Sequence, residues 1–148
     1  ELPRYTESVV FDLLSLGVTP IIAHPERNRD LARHPKLLQD LIERGCLAQV
    51  STGSVRGRFG PEARRAAEAF LARGLVHLLG TDAHGPDRRR MIMAEARDLV
   101  AARHGTEFAR ALTADNPLAV LEGRDCRPAA ELDGGRQGRR TIAGAIFR

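Results

Sequence analysis

Aromatic residues and lysine are both scarce in this sequence. It has no tryptophan, one tyrosine and five phenylalanines, so few rings are available to stack on nucleic-acid bases. Its net charge of +4 comes from arginine, because Lys36 is the only lysine, and the arginines are dispersed along the chain. Positive charge alone would suggest nucleic-acid binding, but the dispersal and the lack of rings argue against that partner.

Cysteine is too rare to form a disulfide framework or a cysteine metal knuckle. Cys46 and Cys126 are the only two, and neither has a second cysteine at CxxC spacing. The catalytic spacing Cys-x5-Arg is also absent, because the sixth residues after these cysteines are Thr52 and Leu132. We therefore expect a reducing, cytoplasmic setting and no cysteine nucleophile.

Long apolar runs are also absent. No stretch approaches the roughly 20 residues that a membrane crossing needs, so we expect no membrane insertion. Hydrophobic residues make up 43% and charged residues 28% of the 148 residues, as is usual for a globular domain. The sequence begins at Glu1 without an initiator methionine, and we expect it to be a fragment of a longer protein.

Apolar spacing alternates along the chain between helical and strand patterns. Helical spacing predicts helices at 6–16, 37–42, 61–73, 89–103, 107–112 and 117–121. Short β-branched or apolar runs predict strands at 18–24, 46–52 and 75–81, of the kind that is buried on both faces of a parallel sheet. The alternation predicts an α/β protein with parallel strands joined by crossover helices.

Three strands are few for an α/β domain. A closed barrel needs about eight strand–helix units and about 250 residues, so this chain could supply less than half of one. We expect it to complete a sheet whose other strands lie upstream of Glu1, because both edges would otherwise be exposed. Residues 124–148 are rich in Gly, Arg, Asp and Pro, which predicts a disordered tail.

Two short motifs at predicted strand ends could carry chemistry. In the first, AHPERN at 23–28, Pro25 predicts an extended backbone at His24, and Arg27 is suited to binding phosphate through two parallel hydrogen bonds. In the second, TDAHG at 81–85, residues two apart in an extended chain point to the same side. Asp82 and His84 can therefore present a carboxylate and an imidazole to one divalent cation.

Other residues near these motifs have less specific interpretations. His77 has the opposite parity to Asp82 in the predicted strand, so we expect it to serve packing. The glycine-rich stretch 53–60 lacks the Gly-Lys-Ser/Thr of a Walker motif. It either walls the site, with Arg56 or Arg58 near an incoming ligand, or is a flexible solvated turn.

Together these motifs resemble the metal-dependent bacterial protein-tyrosine phosphatases of the PHP (polymerase and histidinol phosphatase) superfamily, which are encoded with capsule and exopolysaccharide genes. The resemblance lies in GVTPIIAHPERN, AQVSTGSVRGRFG and GLVHLLGTDAHG, the last followed by Arg88–Arg90, and in the closing NPLAVLEG. It implies that residues 1–123 are the C-terminal portion of a distorted TIM-like (β/α)7 PHP barrel, followed by the tail at 124–148.

The resemblance also implies a metal site. By analogy with the family's motifs, His24, Asp82 and His84 are ligands, and Glu1, which opens ELPRY, is the glutamate that bridges two metals. The cluster would hold divalent ions, with Mn²⁺ expected and Fe or Mg²⁺ as alternatives. The family's amino-terminal His-x-His pair, a following acidic ligand and a further histidine have no counterpart here, so this chain alone would hold a partial site.

Two arginines resemble the family's phosphate-binding pair. These are Arg27 and Arg89, although the basic triplet leaves open which of Arg88, Arg89 and Arg90 is the second. Two positions depart from the family pattern, since Thr81 replaces the usual serine and Gly85 the usual asparagine.

The activity that the resemblance implies is metal-dependent hydrolysis of phosphotyrosine on a bacterial tyrosine autokinase, which would regulate capsular or exopolysaccharide synthesis. Clustered divalent ions lower the pKa of a bound water and, with arginine, offset charge on the phosphoryl oxygens. Two alternatives stay open: a PHP phosphoesterase acting on a small phosphomonoester such as histidinol phosphate, and a noncatalytic remnant or binding module. The sequence also leaves homo-oligomerisation open.

Overall fold

The computed structural model describes residues 2–85 and 92–126, and its sheet has three parallel strands. They are β1 (Ile21–Ala23), β2 (Leu47–Ser51) and β3 (Leu78–Gly80). The middle strand is β2, since Ile22 pairs with Ala48 and Val50 pairs with Leu79. The carboxyl ends of parallel strands lie at the same edge of a sheet. The residues that follow all three strands therefore lie together at that carboxyl edge. The prediction of an α/β protein with parallel strands is confirmed.

Helices join the strands and cover the sheet. They are α1 (Thr6–Ser15), α2 (Arg29–Arg33), α3 (Pro35–Glu43), α4 (Thr52–Val55), α5 (Gly60–Ala72), α6 (Ala94–His104), α7 (Thr106–Arg110) and α8 (Asn116–Leu121). A 3-10 turn spans Pro25–Arg27, and a π-helical turn at Ala111–Asp115 lies between α7 and α8. None of the helices in the described parts of the chain is long and apolar enough to cross a membrane.

Helix α2, which the apolar spacing did not predict, begins with a side-chain cap. Asn28 Oδ1 accepts hydrogen bonds from the N–H groups of Asp30, at 3.0 Å, and Leu31, at 3.2 Å. An asparagine at this position satisfies N–H groups that have no partner within the helix. The cap therefore starts a helix immediately after the AHPERN motif.

The core lies around the central strand. Phe70, Leu38, Val50 and Leu112 are fully buried there, on α5, α3, β2 and the π-helical turn. Burying a side chain of this size stabilises the fold by about 1.5–3 kcal/mol. This packing holds the central strand and the helices on either side of it in one apolar cluster.

Two sequence predictions about the fold are wrong in part. The first strand is short, and Val18 and Ile21 are 49% and 40% exposed, because β1 is an edge strand of the described sheet. The stretch 53–60 is not a flexible solvated turn throughout, since its first residues belong to α4, where Gly53, Ser54 and Val55 are buried. The predicted helix at 89–103 begins at Ala94 among the described residues, and most of the predicted tail lies outside them.

Candidate metal and phosphate site

The two sequence motifs meet at the carboxyl edge of the sheet. The first follows β1 and the second follows β3. A guanidinium nitrogen of Arg27 donates to Asp82 Oδ2 at 3.0 Å, and the two side chains are 30% and 22% exposed. This ion pair joins loops that belong to the two outer strands of the sheet.

Both motifs contain a residue with left-handed backbone geometry. Among the non-glycine residues that the structure describes, only His24 and Asp82 have a positive φ, at 41° and 51°. This conformation costs on the order of 1–3 kcal/mol, and strained residues of this kind cluster at functional sites. The predictions of an extended backbone at both residues are therefore wrong.

Tertiary packing explains the departure at His24. A sharp turn directly after β1 buries Pro25 and Glu26 in the 3-10 turn, and this outweighs the preference of a residue before proline for extended geometry. Histidine and aspartate are also more frequent than most residues at positive φ. Both positions can therefore turn the chain where a strand ends.

Asp82 and His84 lie together, as predicted, although the turn rather than an extended chain brings them there. His84 Nδ1 lies 2.7 Å from the carbonyl oxygen of Asp82 and 3.8 Å from its Oδ1. A carbonyl oxygen can only accept a hydrogen bond, so this contact assigns the proton of the neutral ring to Nδ1 and the lone pair to Nε2. Histidines that bind metals characteristically donate their other ring N–H to a carbonyl or carboxylate in this way.

The described residues provide donors of the right type for a divalent cation, but only part of a full ligand set. A carboxylate and an imidazole suit a borderline divalent ion. His24 lies at the end of β1, where its N–H donates to Gln49 O at 2.8 Å. Across residues 2–85 and 92–126, no group of three His, Cys, Asp or Glu side chains could hold a metal ion. Two other predicted site residues, Glu1 and Arg89, lie outside the described residues, as do Arg88 and Arg90.

An aromatic ring supports the arginine of the first motif. The guanidinium carbon of Arg27 lies 4.5 Å from the centre of the Phe59 ring, within range of a cation–π interaction. Gly53 makes room for that ring, because a Cβ at this position would overlap it. Arg56, one of the two arginines predicted to lie near an incoming ligand, pairs with Glu95 at 2.5 Å.

Sequence reasoning assigned no role to Glu26, which is buried beside the site. Its Oε1 accepts from Ser51 N–H at 3.1 Å and from Ser54 Oγ–H at 2.6 Å. Burial raises the pKa of this carboxyl above its ordinary value. Glu26 therefore connects the 3-10 turn to the end of β2 and to α4. Its position within the AHPERN motif was the only feature of the sequence that could have indicated this role.

His77 packs in the interior, as its parity predicted. Its Nδ1 accepts from Ala48 N–H at 3.1 Å, and its carbonyl oxygen accepts from Asn116 Nδ2 at 3.0 Å. Burial lowers the pKa of this histidine. The ring is therefore a neutral hydrogen-bond acceptor between β2 and β3.

Comparison with known proteins gives consistent matches. The sequence profile of the family described as "Capsular polysaccharide synthesis, CpsB/CapC" matches residues 3–122. The tyrosine-protein phosphatase YwqE of Bacillus subtilis is 35% identical over 119 residues, which are 80% of this chain and 47% of YwqE. The tyrosine-protein phosphatase CpsB of Streptococcus pneumoniae is 36% identical over 123 residues, which are 80% of this chain and 51% of that protein.

A solved structure also resembles this fold. It comes from a study of YwqE from Bacillus subtilis and CpsB from Streptococcus pneumoniae, described as unique metal-dependent tyrosine phosphatases. The TM-score is 0.81 at 32% identity, and the match covers 86% of this chain and 51% of the solved chain. This chain therefore spans about half the length of the relatives it matches.

Proposed function

The chain belongs to the CpsB/CapC family of capsular polysaccharide synthesis, and on that premise we propose that the protein at its natural length is a metal-dependent protein-tyrosine phosphatase. One observation carries the proposal. The Arg27 guanidinium, suited to phosphate, contacts the carboxylate of Asp82, suited to a metal, at 3.0 Å. In a metal-dependent phosphomonoesterase, arginine and metal ions both offset charge on the phosphoryl oxygens, and this contact places the two kinds of group side by side.

The proposed metal ligands in this chain are His24, Asp82 and His84, together with Glu1. Asp82 and His84 support this assignment by their proximity and by the orientation of the His84 ring. When divalent ions are bound, they supply a water of lowered pKa and positive charge opposite the phosphoryl oxygens. Mn²⁺ is the expected ion, with Fe or Mg²⁺ as alternatives, and ligands beyond this chain complete the set.

The protein's own groups bind and orient the phosphate. Arg27 can hold two phosphoryl oxygens through parallel hydrogen bonds, and the Phe59 ring lies 4.5 Å from its guanidinium carbon. We propose Arg89 as a second phosphate ligand. The mechanism needs no cysteine, in keeping with the buried position of Cys46 and the absence of the Cys-x5-Arg spacing from the sequence.

The finer features of the proposal follow the family resemblance. The substrate is a phosphotyrosine protein, a bacterial tyrosine autokinase that controls capsule or exopolysaccharide assembly, and the reaction takes place in the cytoplasm. Residues 1–123 form the C-terminal portion of a (β/α)7 PHP barrel.

Initial rates of the purified protein at its natural length test the activity. We expect kcat/KM to be higher for a phosphotyrosine peptide than for a matched phosphoserine peptide or for histidinol phosphate, and a chelator to abolish all hydrolysis. A preference for histidinol phosphate would overturn the substrate assignment and support a small-molecule phosphoesterase. Hydrolysis that persists in excess chelator would overturn the metal dependence.

A further inference from the structure

A groove next to Arg27 has no role in the chemistry described above. It lies between the 3-10 turn with α2 on one side and α5 on the other, and its volume is about 890 Å³. Arg27 and Phe59 are among its lining residues, and Arg27 also pairs with Asp82. The groove therefore adjoins the position proposed for the phosphate of a substrate.

The groove is positively charged. Arg29, Arg33 and Arg65 line it in addition to Arg27, and all three side chains belong to exposed residues. The acidic lining residues are Glu62 and the buried Glu26, whose Oε1 accepts from Ser51 and Ser54. Positive charges thus outnumber negative ones along a surface that a peptide could reach.

The three further arginines of the groove differ from most described arginines in their ion pairing. Most arginines in the described parts of the chain pair with an acidic side chain, for example Arg44 with Glu7 and Arg103 with Glu68. By contrast, Arg29, Arg33 and Arg65 form no ion pair with any acidic side chain that the structure describes. Three guanidinium groups on one groove are therefore available to an anionic partner.

The size of the lining residues suits an extended peptide. Four alanines line the groove between the arginines, so small side chains leave room for a backbone to lie against the helices. Arginine binds carboxylates with two parallel hydrogen bonds. The groove combines space, accessible cations and continuity with the phosphate-binding arginine.

We propose that this groove binds an acidic segment of the protein substrate next to its phosphotyrosine. The inference rests on the proposed phosphatase function, since it places the phosphate at Arg27. Glutamate or aspartate side chains of the substrate contact Arg29, Arg33 and Arg65, and this contact selects among phosphotyrosine sites. The groove contributes to substrate affinity and not to the chemical step.

Two peptide probes and one matched pair of variants test the proposal in the protein at its natural length. One phosphotyrosine peptide carries glutamates next to the phosphotyrosine, and the other carries glutamines at the same positions. Arg33→Gln/Arg65→Gln removes two charges from the groove. The control, Arg4→Gln/Arg73→Gln, removes two charges from exposed residues that do not line the groove.

We expect the wild type to have a lower KM for the glutamate peptide, and Arg33→Gln/Arg65→Gln to raise that KM about three- to tenfold with kcat unchanged. The KM for the glutamine peptide and all values for the control variant should change less than about twofold. The preference should also weaken at high salt, because exposed charges are screened. Equal KM values for the two peptides in the wild type, or an equal rise for both in the groove variant, would overturn the proposal.

Fluorescence anisotropy of the same labelled peptides separates this proposal from the proposed activity. If neither peptide is hydrolysed, the phosphatase assignment fails. The groove proposal still stands if the glutamate peptide binds more tightly and Arg33→Gln/Arg65→Gln removes the difference, and it fails if the two peptides bind equally. Hydrolysis without discrimination between the peptides would refute the groove proposal alone.

Discussion

Arg27 donates a hydrogen bond to Asp82 Oδ2 at 3.0 Å, although 55 positions separate the two residues in the sequence. The contact connects the loop after β1 to the loop after β3, across the end of the central strand. It is half-buried rather than fully solvated, which strengthens the attraction between opposite charges. The residues proposed for phosphate binding and for metal binding therefore form one unit.

Replacing Arg27 by lysine tests whether the shape of the guanidinium matters in addition to its charge. Lysine keeps the positive charge but loses the planar fork and its stacking on Phe59. We expect Arg27→Lys to lower kcat/KM for a phosphotyrosine peptide by about 10- to 100-fold, the equivalent of about 1.4–2.7 kcal/mol. Steady-state kinetics measures this. The matched control Arg73→Lys should retain activity, and full activity of Arg27→Lys would contradict the proposed role.

A double-mutant cycle tests the fit between Gly53 and Phe59. Gly53→Ala places a Cβ where the Phe59 ring lies, and overpacking of this kind costs about 1–3 kcal/mol. Phe59→Ala removes the ring, so Gly53→Ala should cost clearly less in that background. Urea unfolding of the four proteins gives the free energies. Additive losses would mean that the two residues do not compete for the same space.

Glu26 provides a test of a buried polar contact. Glu26→Ala leaves the Ser51 N–H and the Ser54 hydroxyl without their acceptor, and we expect it to lower the free energy of unfolding by about 1–3 kcal/mol. Glu26→Gln keeps an acceptor oxygen of the same reach and should cost less than about 1 kcal/mol. Urea midpoints compare the two variants, with the exposed Glu107→Ala as a control. Equal losses for the two Glu26 variants would refute the role of the hydrogen bonds.

His77 predicts a pH dependence of stability. Burial lowers its pKa below the ordinary 6.5, so the unfolded chain binds a proton at a higher pH than the folded chain does. The free energy of unfolding should therefore fall as the pH drops below about 6.5 and level off once it passes the lowered folded value. His77→Asn keeps an acceptor for Ala48 N–H but does not titrate. It should therefore reduce the slope of the free energy of unfolding against pH.

Urea unfolding at several pH values between about 5 and 7.5 gives the free energy of unfolding on either side of the ordinary histidine pKa, and hence its slope against pH. The control variant His34→Asn changes an exposed histidine, and it should leave the slope of the wild type in place. An unchanged slope in His77→Asn would show that the buried ring is not its source.

Much of the fold could be predicted from the sequence because periodicity reports burial directly. The spacing of Leu38 and Leu41 predicted the inner face of α3, and both are buried. Likewise, the alternation of side chains along the predicted strand placed His77 on the opposite side from Asp82 and predicted a packing role for it. Helix α2 was missed because its five residues are too few for a periodic pattern, and its start depends on the Asn28 cap.

The sequence predicted which residues belong to the candidate site but not how they contact one another. The motifs identified Arg27, Asp82 and His84, but the sequence gives no direct sign that Arg27 contacts Asp82 or that Phe59 lies against Arg27. The left-handed backbone at His24 also could not be foreseen, because local rules favour the opposite geometry before proline. These features depend on contacts between residues far apart in the chain.

Metal content measured together with phosphotyrosine hydrolysis tests the central claim most directly. The protein at its natural length should contain a divalent transition metal by mass spectrometry, lose metal and activity together in a chelator, and recover activity when Mn²⁺ is resupplied. Asp82→Asn should lower both metal content and hydrolysis by about 100-fold or more, while alkylation of thiols leaves both unchanged. Full hydrolysis by metal-free protein, or full metal content and activity in Asp82→Asn, would contradict the account.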